Sequence, residues 1–333
     1  MRSRFSIWLV MFGMFPLMAF AQDVHFSQFE SAPYNLNPAY CGDFDGSYRV
    51  IGNQRTQWRS VTTPFSTFAM GADAPWKKSG LGVSFIHDKA GDSRLTSTYF
   101  NFMYARPMQL TNAKNVTFIP AIALGITNMS IDYSQLRYDS QWTGILYDPT
   151  QSSGEQFARD SRAYLNLHMG ARAIKKWEGG KELSVGFSFY NLSAPKQSFF
   201  DDGYVKLDMR TNLHANYRFY LKENIILAPS MLVMAQGTYR EWDLGGTGEY
   251  VLESKEWMYR SVFGGIYYRT KDAGFLVAGM RFDQWKVGLS YDINTSNLRP
   301  ASNGRGGLEV SVIYIAPPKV KDLPGRKVCG DFI

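Results

Sequence analysis

"NLHANYRFY", residues 212–220, decides how this chain folds. Leu213, Ala215, Tyr217 and Phe219 fall on one side, and Asn212, His214, Asn216 and Arg218 on the other. A period of two belongs to a strand, whose successive side chains point to opposite faces. The pattern recurs in "AYLNLHMGAR" (163–172), "ELSVGFSFY" (182–190), "WKVGLSYD" (285–292) and "GLEVSVIY" (307–314). Counting such segments predicts about fourteen strands (12–16), starting near 48, 65, 80, 95, 116, 162, 182, 209, 224, 238, 256, 273, 285 and 307. Three are less regular: Pro120 and Pro229 each remove a ladder donor, and Gly245, Gly246 and Gly248 crowd a third.

Loop lengths sort by parity. Long connections follow the fifth, seventh and thirteenth segments, whereas "WKKSG", "LKEN" and "SKE" are tight links after even-numbered ones. An up-and-down barrel with both ends on the periplasmic side produces this alternation. A β-sandwich has no reason to do so. A soluble barrel of this size encloses more room than its apolar side chains can fill. Turning the apolar face to lipid and the Asn, His, Arg and Ser face to a lumen removes that difficulty, and closure pairs every backbone polar group. Trp58, Trp76, Trp177, Trp257, Tyr268 and Trp285 lie near segment ends, where interfacial girdles form. The expectation is an all-β, transmembrane, antiparallel up-and-down barrel of outer-membrane type.

Around that barrel the chain divides into four parts. Residues 1–21 have Arg2 and Arg4, an apolar run from Ile7 to Met18 and Ala19-Phe20-Ala21, the layout of a cleaved signal peptide. Residues 22–46 are aromatic, amide-rich and aperiodic, and read either as a lumenal plug or as a periplasmic contact. Residues 47–316 form the barrel, and 317–333 a periplasmic tail. The formal charge of +7 is spread without a Lys/Arg block, which argues against nucleic acid as a partner. Cys41 and Cys329 could pair in an oxidising compartment if the ends meet.

No constellation reads as an active site. His168 and His214 lie on polar strand faces, where lumenal hydrogen bonding is the plainer reading than a Ser/His hydrolase. Asp43 and Asp45 in "GDFDGSY" lack the remaining ligands of a calcium loop, and "LGGTGEY" (244–250) lacks a phosphate-binding context. The expectation is a non-enzyme without cofactor or metal.

Four ordered blocks carry a family resemblance. "QDVHFSQFESAPYNLNPAYCG" (22–42) resembles the start of mature PorP/SprF proteins, where Q-D-x-H-F-S-Q-F leads into x-L-N-P-A-x-x-G; His25, Phe26, Ser27, Gln28, Phe29, Leu36, Asn37, Pro38 and Gly42 fall on it. "YRVIGNQRTQW" (48–58) resembles the family's first strand. "YNLSAPKQSF" (190–199) places Asn191, Pro195, Gln197, Ser198 and Phe199 on a loop motif. "SYDINTSNLRPASNGRGGLEVSVIY" (290–314) resembles the closing block, with Gly307, Val310 and Val312 at β-signal positions. The resemblance implies an outer-membrane component of the type IX secretion and gliding-motility machinery of Bacteroidota, a Gram-negative group. It implies export or surface anchoring of a large adhesin with a type B C-terminal domain, or a link between the machinery and the outer membrane. Implied partners are the secreted adhesin, a periplasmic ring or anchoring lipoprotein, and outer-membrane lipid. It brings no catalytic activity or cofactor. Loops 131–161, 191–207 and 293–306 are the expected surface for a secreted partner. A general porin or a transporter of small solutes is the alternative that a polar lumen also allows.

Overall fold

The computed structural model describes residues 23–57, 63–91, 94–110, 115–155, 158–200, 202–255, 258–296 and 304–318. The expected signal peptide, most of the tail with Cys329, and Trp58 and Trp257 lie outside the described residues. The strands are β1 (Arg49–Gln57), β2 (Phe65–Trp76), β3 (Ser79–Ala90), β4 (Leu95–Ala105), β5 (Met108–Gln109), β6 (Val116–Ser130), β7 (Ser161–Lys176) and β8 (Glu182–Tyr190). They continue with β9 (Arg210–Lys222), β10 (Ile225–Gln236), β11 (Tyr239–Lys255), β12 (Met258–Arg269), β13 (Ala273–Phe282), β14 (Trp285–Asn294) and β15 (Arg305–Ile315).

All but the two-residue β5 belong to a closed ring of fourteen antiparallel strands. β4 pairs directly with β6, and β1 closes on β15 from Arg49↔Ile315 to Gln57↔Gly307. Each expected start falls within two residues of an observed one. The strand ends joined by the long connections β6–β7, β8–β9 and β14–β15 stand on one rim, and two-residue turns at 77–78, 223–224 and 283–284 stand on the other. Barrels of this class put long loops outside the cell, so these are the outer and inner rims. β1 begins and β15 ends on the inner rim.

The sense of the alternation is apolar outward. Leu165 is 72% exposed and Ile266 70%, while the neighbouring Asn166, Asn212, His214 and Ser188 are buried in the lumen. That is the arrangement lipid requires, because ring closure satisfies the backbone and the apolar faces need no water-shielding partner. Trp76, Trp177 and Trp285 stand exposed near the inner rim and Tyr268 near the outer. Trp242 and Tyr291 join the outer girdle, two positions the sequence reading did not single out. The prolines are accommodated locally. Pro229 faces outward, and the β9–β10 pairing passes from Leu227↔Phe219 to Ser230↔Asn216 around it, consistent with its missing N–H.

Residues 23–47 run through the lumen. They make two short 3₁₀ turns, Phe29–Ser31 and Pro38–Tyr40, flanking a single helical turn, Pro33–Leu36. Asp23 sits at the outer rim, where its N–H donates to Gln236 Oε1 (2.9 Å), and Ser47 reaches the inner rim, donating to the Ala316 carbonyl (2.9 Å). Among the described residues each apolar cluster joins this segment to the wall. Phe26 and Ala32 pack on Ala69 and Ile86; Phe29 and Leu36 on Leu232, Tyr267, Phe275 and Val277; Tyr34, Ala39 and Cys41 on Ile51, Met103, Ile119 and Ile313.

Candidate functional site

An aperiodic segment can fill a barrel only if the wall makes room for it. Glycines on the inward face do so. A Cβ on Gly71 would collide with the Tyr34 ring, one on Gly170 with the Asn37 side chain, and one on Gly82 with Cys41 Sγ. Glycine is a poor strand residue without such a reason. The sequence signal was present, as glycine on the polar face of an alternating strand, but without knowledge of the segment's path it pointed nowhere.

The polar residues of the segment replace water for the wall. Asn37, wholly buried, donates to the carbonyls of Ala171 (3.1 Å) and Phe187 (2.9 Å), and its Oδ1 accepts from the Ala39 N–H (2.9 Å). Gln28 Nε2 donates to the Glu309 carbonyl (3.1 Å), and its Oε1 accepts from Ser311 (2.7 Å). Ser188 and Asn212 both donate to the Leu36 carbonyl, at 2.7 and 2.9 Å. Pro38 lies in the second 3₁₀ turn. The Gly42 N–H donates to Asp73 Oδ2 (2.6 Å), whose carboxylate also accepts from Tyr34 (2.5 Å) and pairs with Arg49 (2.8 Å). Burial raises the Tyr34 phenol above its ordinary range. Burial first, and then Asp73, push the Cys41 thiol up to about 12, which keeps it protonated.

At the outer end the segment is held by charge. Arg210 donates to the carbonyls of Val24 (2.9 Å) and Asn35 (3.0 Å) while its guanidinium lies over Tyr190. Ser27 Oγ donates to Asp292 and accepts from Arg55 (2.9 Å) and Arg269 (3.1 Å); its N–H donates to Glu309 (2.8 Å). Arg269 pairs with Glu241, Asp243, Asp272 and Asp292, and Arg55 with Asp292 and Glu309. His25 stands among these cations. Burial, then Arg55, Arg269 and Arg210, hold its imidazole well below the usual range, so it is neutral.

The loop motif meets the segment here. Asn191 Nδ2 donates to Asp23 Oδ2 (2.7 Å), and the Asn191 N–H donates to His168 Nδ1 (3.0 Å). Pro195 accepts from the Leu207 N–H (2.9 Å), Gln197 donates to the Tyr164 hydroxyl (2.9 Å), and Ser198 Oγ accepts from the N–H groups of Phe200 and Asp202. Phe199 packs edge-on against Tyr133. The motif therefore shapes the loop 191–209 over the outer rim. Beside it Trp142, Ile145, Leu146 and Tyr204 are exposed, Tyr204 at 95%.

The histidines are accounted for by this packing. His168 accepts at Nδ1, so Nε2 carries the proton and faces Asn101 Oδ1 (3.2 Å). His214 faces Asn37 (3.1 Å) and Tyr40 (3.5 Å). Neither bonds to a serine, threonine or cysteine among the described residues. Asp43 pairs with Arg172. Toward the inner rim the segment leaves a cavity of about 400 Å³, lined by Glu30, Arg172, Arg218, Glu249, Arg281 and Lys286 among others.

A family model described as "Type IX secretion system membrane protein PorP/SprF" matches residues 18–314. No curated protein matches the chain. Among solved structures, the chain resembles the Ralstonia pickettii toluene transporter TbuX at 10% identity and a TM-score of 0.51, over 85% of this chain and 92% of that one. It resembles the monoaromatic hydrocarbon channel CymD at 9% identity and a TM-score of 0.51, over 86% and 93%. At such identities the likeness is one of fold: an outer-membrane barrel.

Proposed function

The chain belongs to the PorP/SprF family of type IX secretion system membrane proteins, and we propose that it works as an occupied barrel that binds protein, with no catalytic step of its own. The partner we infer is a large secreted adhesin with a type B C-terminal domain, exported or held at the surface with other type IX components. The observation that carries this reading is the lumen. Residues 23–47 pass from one rim to the other, and beside their outer half the spaces are about 20 to 30 Å³, room for about a single water each. A barrel filled this way offers its rims rather than its bore. The outer rim carries the loops 131–160 and 191–209, whose exposed aromatic and aliphatic side chains are suited to protein contact.

The other reading is a channel for small hydrophobic solutes, which draws on the shared fold with TbuX and CymD. One experiment separates them. Deleting the gene is expected to leave one or a few large surface proteins unexported or unattached, with uptake of small solutes little changed. Normal surface display with lost uptake of an aromatic hydrocarbon would overturn the proposal in favour of the channel.

A further inference from the structure

The cavity at the inner end of the lumen gathers cations that the protein's carboxylates answer only in part. Lys286 on β14 and Arg281 on β13 are direct cross-strand partners, both turned inward. Like charges opposite one another weaken a sheet. Arg218 on β9 lines the same cavity. Four carboxylates share it with these cations: Asp43 is paired with Arg172, Glu182 is paired with Lys176 and stands opposite Arg218 across β8 and β9, and Glu249 and Glu30 also accept from neutral groups. Glu249 Oε1 accepts from Tyr259 (2.9 Å) and Ser261 (2.6 Å) and lies 3.5 Å from Arg281 Nε. Glu30 accepts from Asn216 Nδ2 (2.6 Å).

Among the described residues Lys286 and Arg218 make no ion pair. Lys286 rests over the Phe263 ring and Arg218 over the Tyr220 ring. Arg281 Nε is shut off from solvent without a hydrogen-bond acceptor. The other cations of the cavity differ: Arg49 is paired with Asp73 and Arg172 with Asp43. Lys286 and Arg218, without an ion pair, and Arg281, paired with Glu249 alone, therefore lie on the wall of β9, β13 and β14, around about 400 Å³ of free space.

We propose that this inner cavity binds a single small anionic group, a carboxylate or a phosphate, held by Lys286, Arg218 and Arg281. A ligand of that kind relieves the Arg281–Lys286 repulsion, and charge-assisted bonds of this type are the strong ones. The cavity is too small for a folded domain but takes a free phosphate or one acidic side chain or terminus of a peptide.

The test uses the full chain purified in detergent, with inorganic phosphate and a short oligoglutamate peptide as probes, followed by calorimetric titration. The wild type is expected to bind at least one of them. Lys286→Gln with Arg218→Gln is expected to weaken binding about tenfold or more, while Lys77→Gln on the exposed inner turn leaves it unchanged. Without probe, the double variant is expected to melt close to the wild type, because the repulsion it loses offsets two cation–ring contacts and it breaks no ion pair. Preference for phosphate identifies a free anion, and preference for the peptide an acidic protein segment. Binding of neither probe, or equal binding by the double variant, overturns the proposal.

Discussion

The outer and inner halves of the lumen are built from the same strands with the same alternation, yet they are opposite environments. In the outer half Arg55, Arg269, Asp292, Glu309, Glu241 and Asp243 are all buried and packed around Ser27 and His25. In the inner half Arg218, Arg281 and Lys286 border an open cavity. What differs is the segment 23–47: where it fills the bore it takes water away from the polar face, and where it turns aside it leaves open space in front of that face. A polar strand face is thus committed to neither state until something occupies the space in front of it.

The largest effect is expected in the outer half. Arg269→Met removes one of two cations that answer five carboxylates. Breaking a buried pair by removing one partner costs about 3–5 kcal/mol, so thermal unfolding in detergent should occur at a distinctly lower temperature. Arg281→Met in the inner half should move it little, since Glu249 keeps Tyr259 and Ser261. Equal losses at both sites would erase the distinction between the halves.

Next come changes that loosen the segment without altering charge. Asn37→Ala strands the carbonyls of Ala171 and Phe187, and an unsatisfied buried group costs about 1–3 kcal/mol. Gly71→Ala forces the Tyr34 ring out of its recess, with overpacking costing about 1–3 kcal/mol. Gly144→Ala is a poor control because its φ is +89°, whereas Gly52→Ala has no neighbour to meet. Both Asn37→Ala and Gly71→Ala should lower the melting temperature and raise protease cleavage within residues 23–47, and Gly52→Ala should do neither.

The smallest expected effect is the pH response of His25. Its native imidazole titrates below the unfolded value of about 6.5. Below that pH the unfolded chain binds the extra proton, so stability falls as the solution is acidified. His25→Gln should flatten part of the loss between about pH 6.5 and 5; an unchanged slope would show that the ring is not held neutral.

The barrel itself was legible because lipid imposes one rule on every strand. "NLHANYRFY" and its counterparts repeat it fourteen times, and loop lengths give the orientation independently. The segment's path was not legible. "QDVHFSQFESAPYNLNPAYCG" has no period, and its two readings, lumen or periplasm, differ only in contacts hundreds of residues distant, such as Ser27 with Asp292 or Gln28 with Ser311. For the same reason the alternation alone does not set Arg55, Arg210 and Arg269 apart or give Gly71 and Gly170 a purpose. That Glu249 reaches Arg281 while no carboxylate pairs with its cross-strand neighbour Lys286 is visible only in the folded lumen.

The most direct test of an occupied bore is conductance. The full chain should be nearly silent to ions in a planar bilayer, and a variant lacking residues 23–40 but still folded, as judged by heat-resistant migration in gels, should open steady channels. A full-length barrel that conducts as freely as the truncated one would contradict the account.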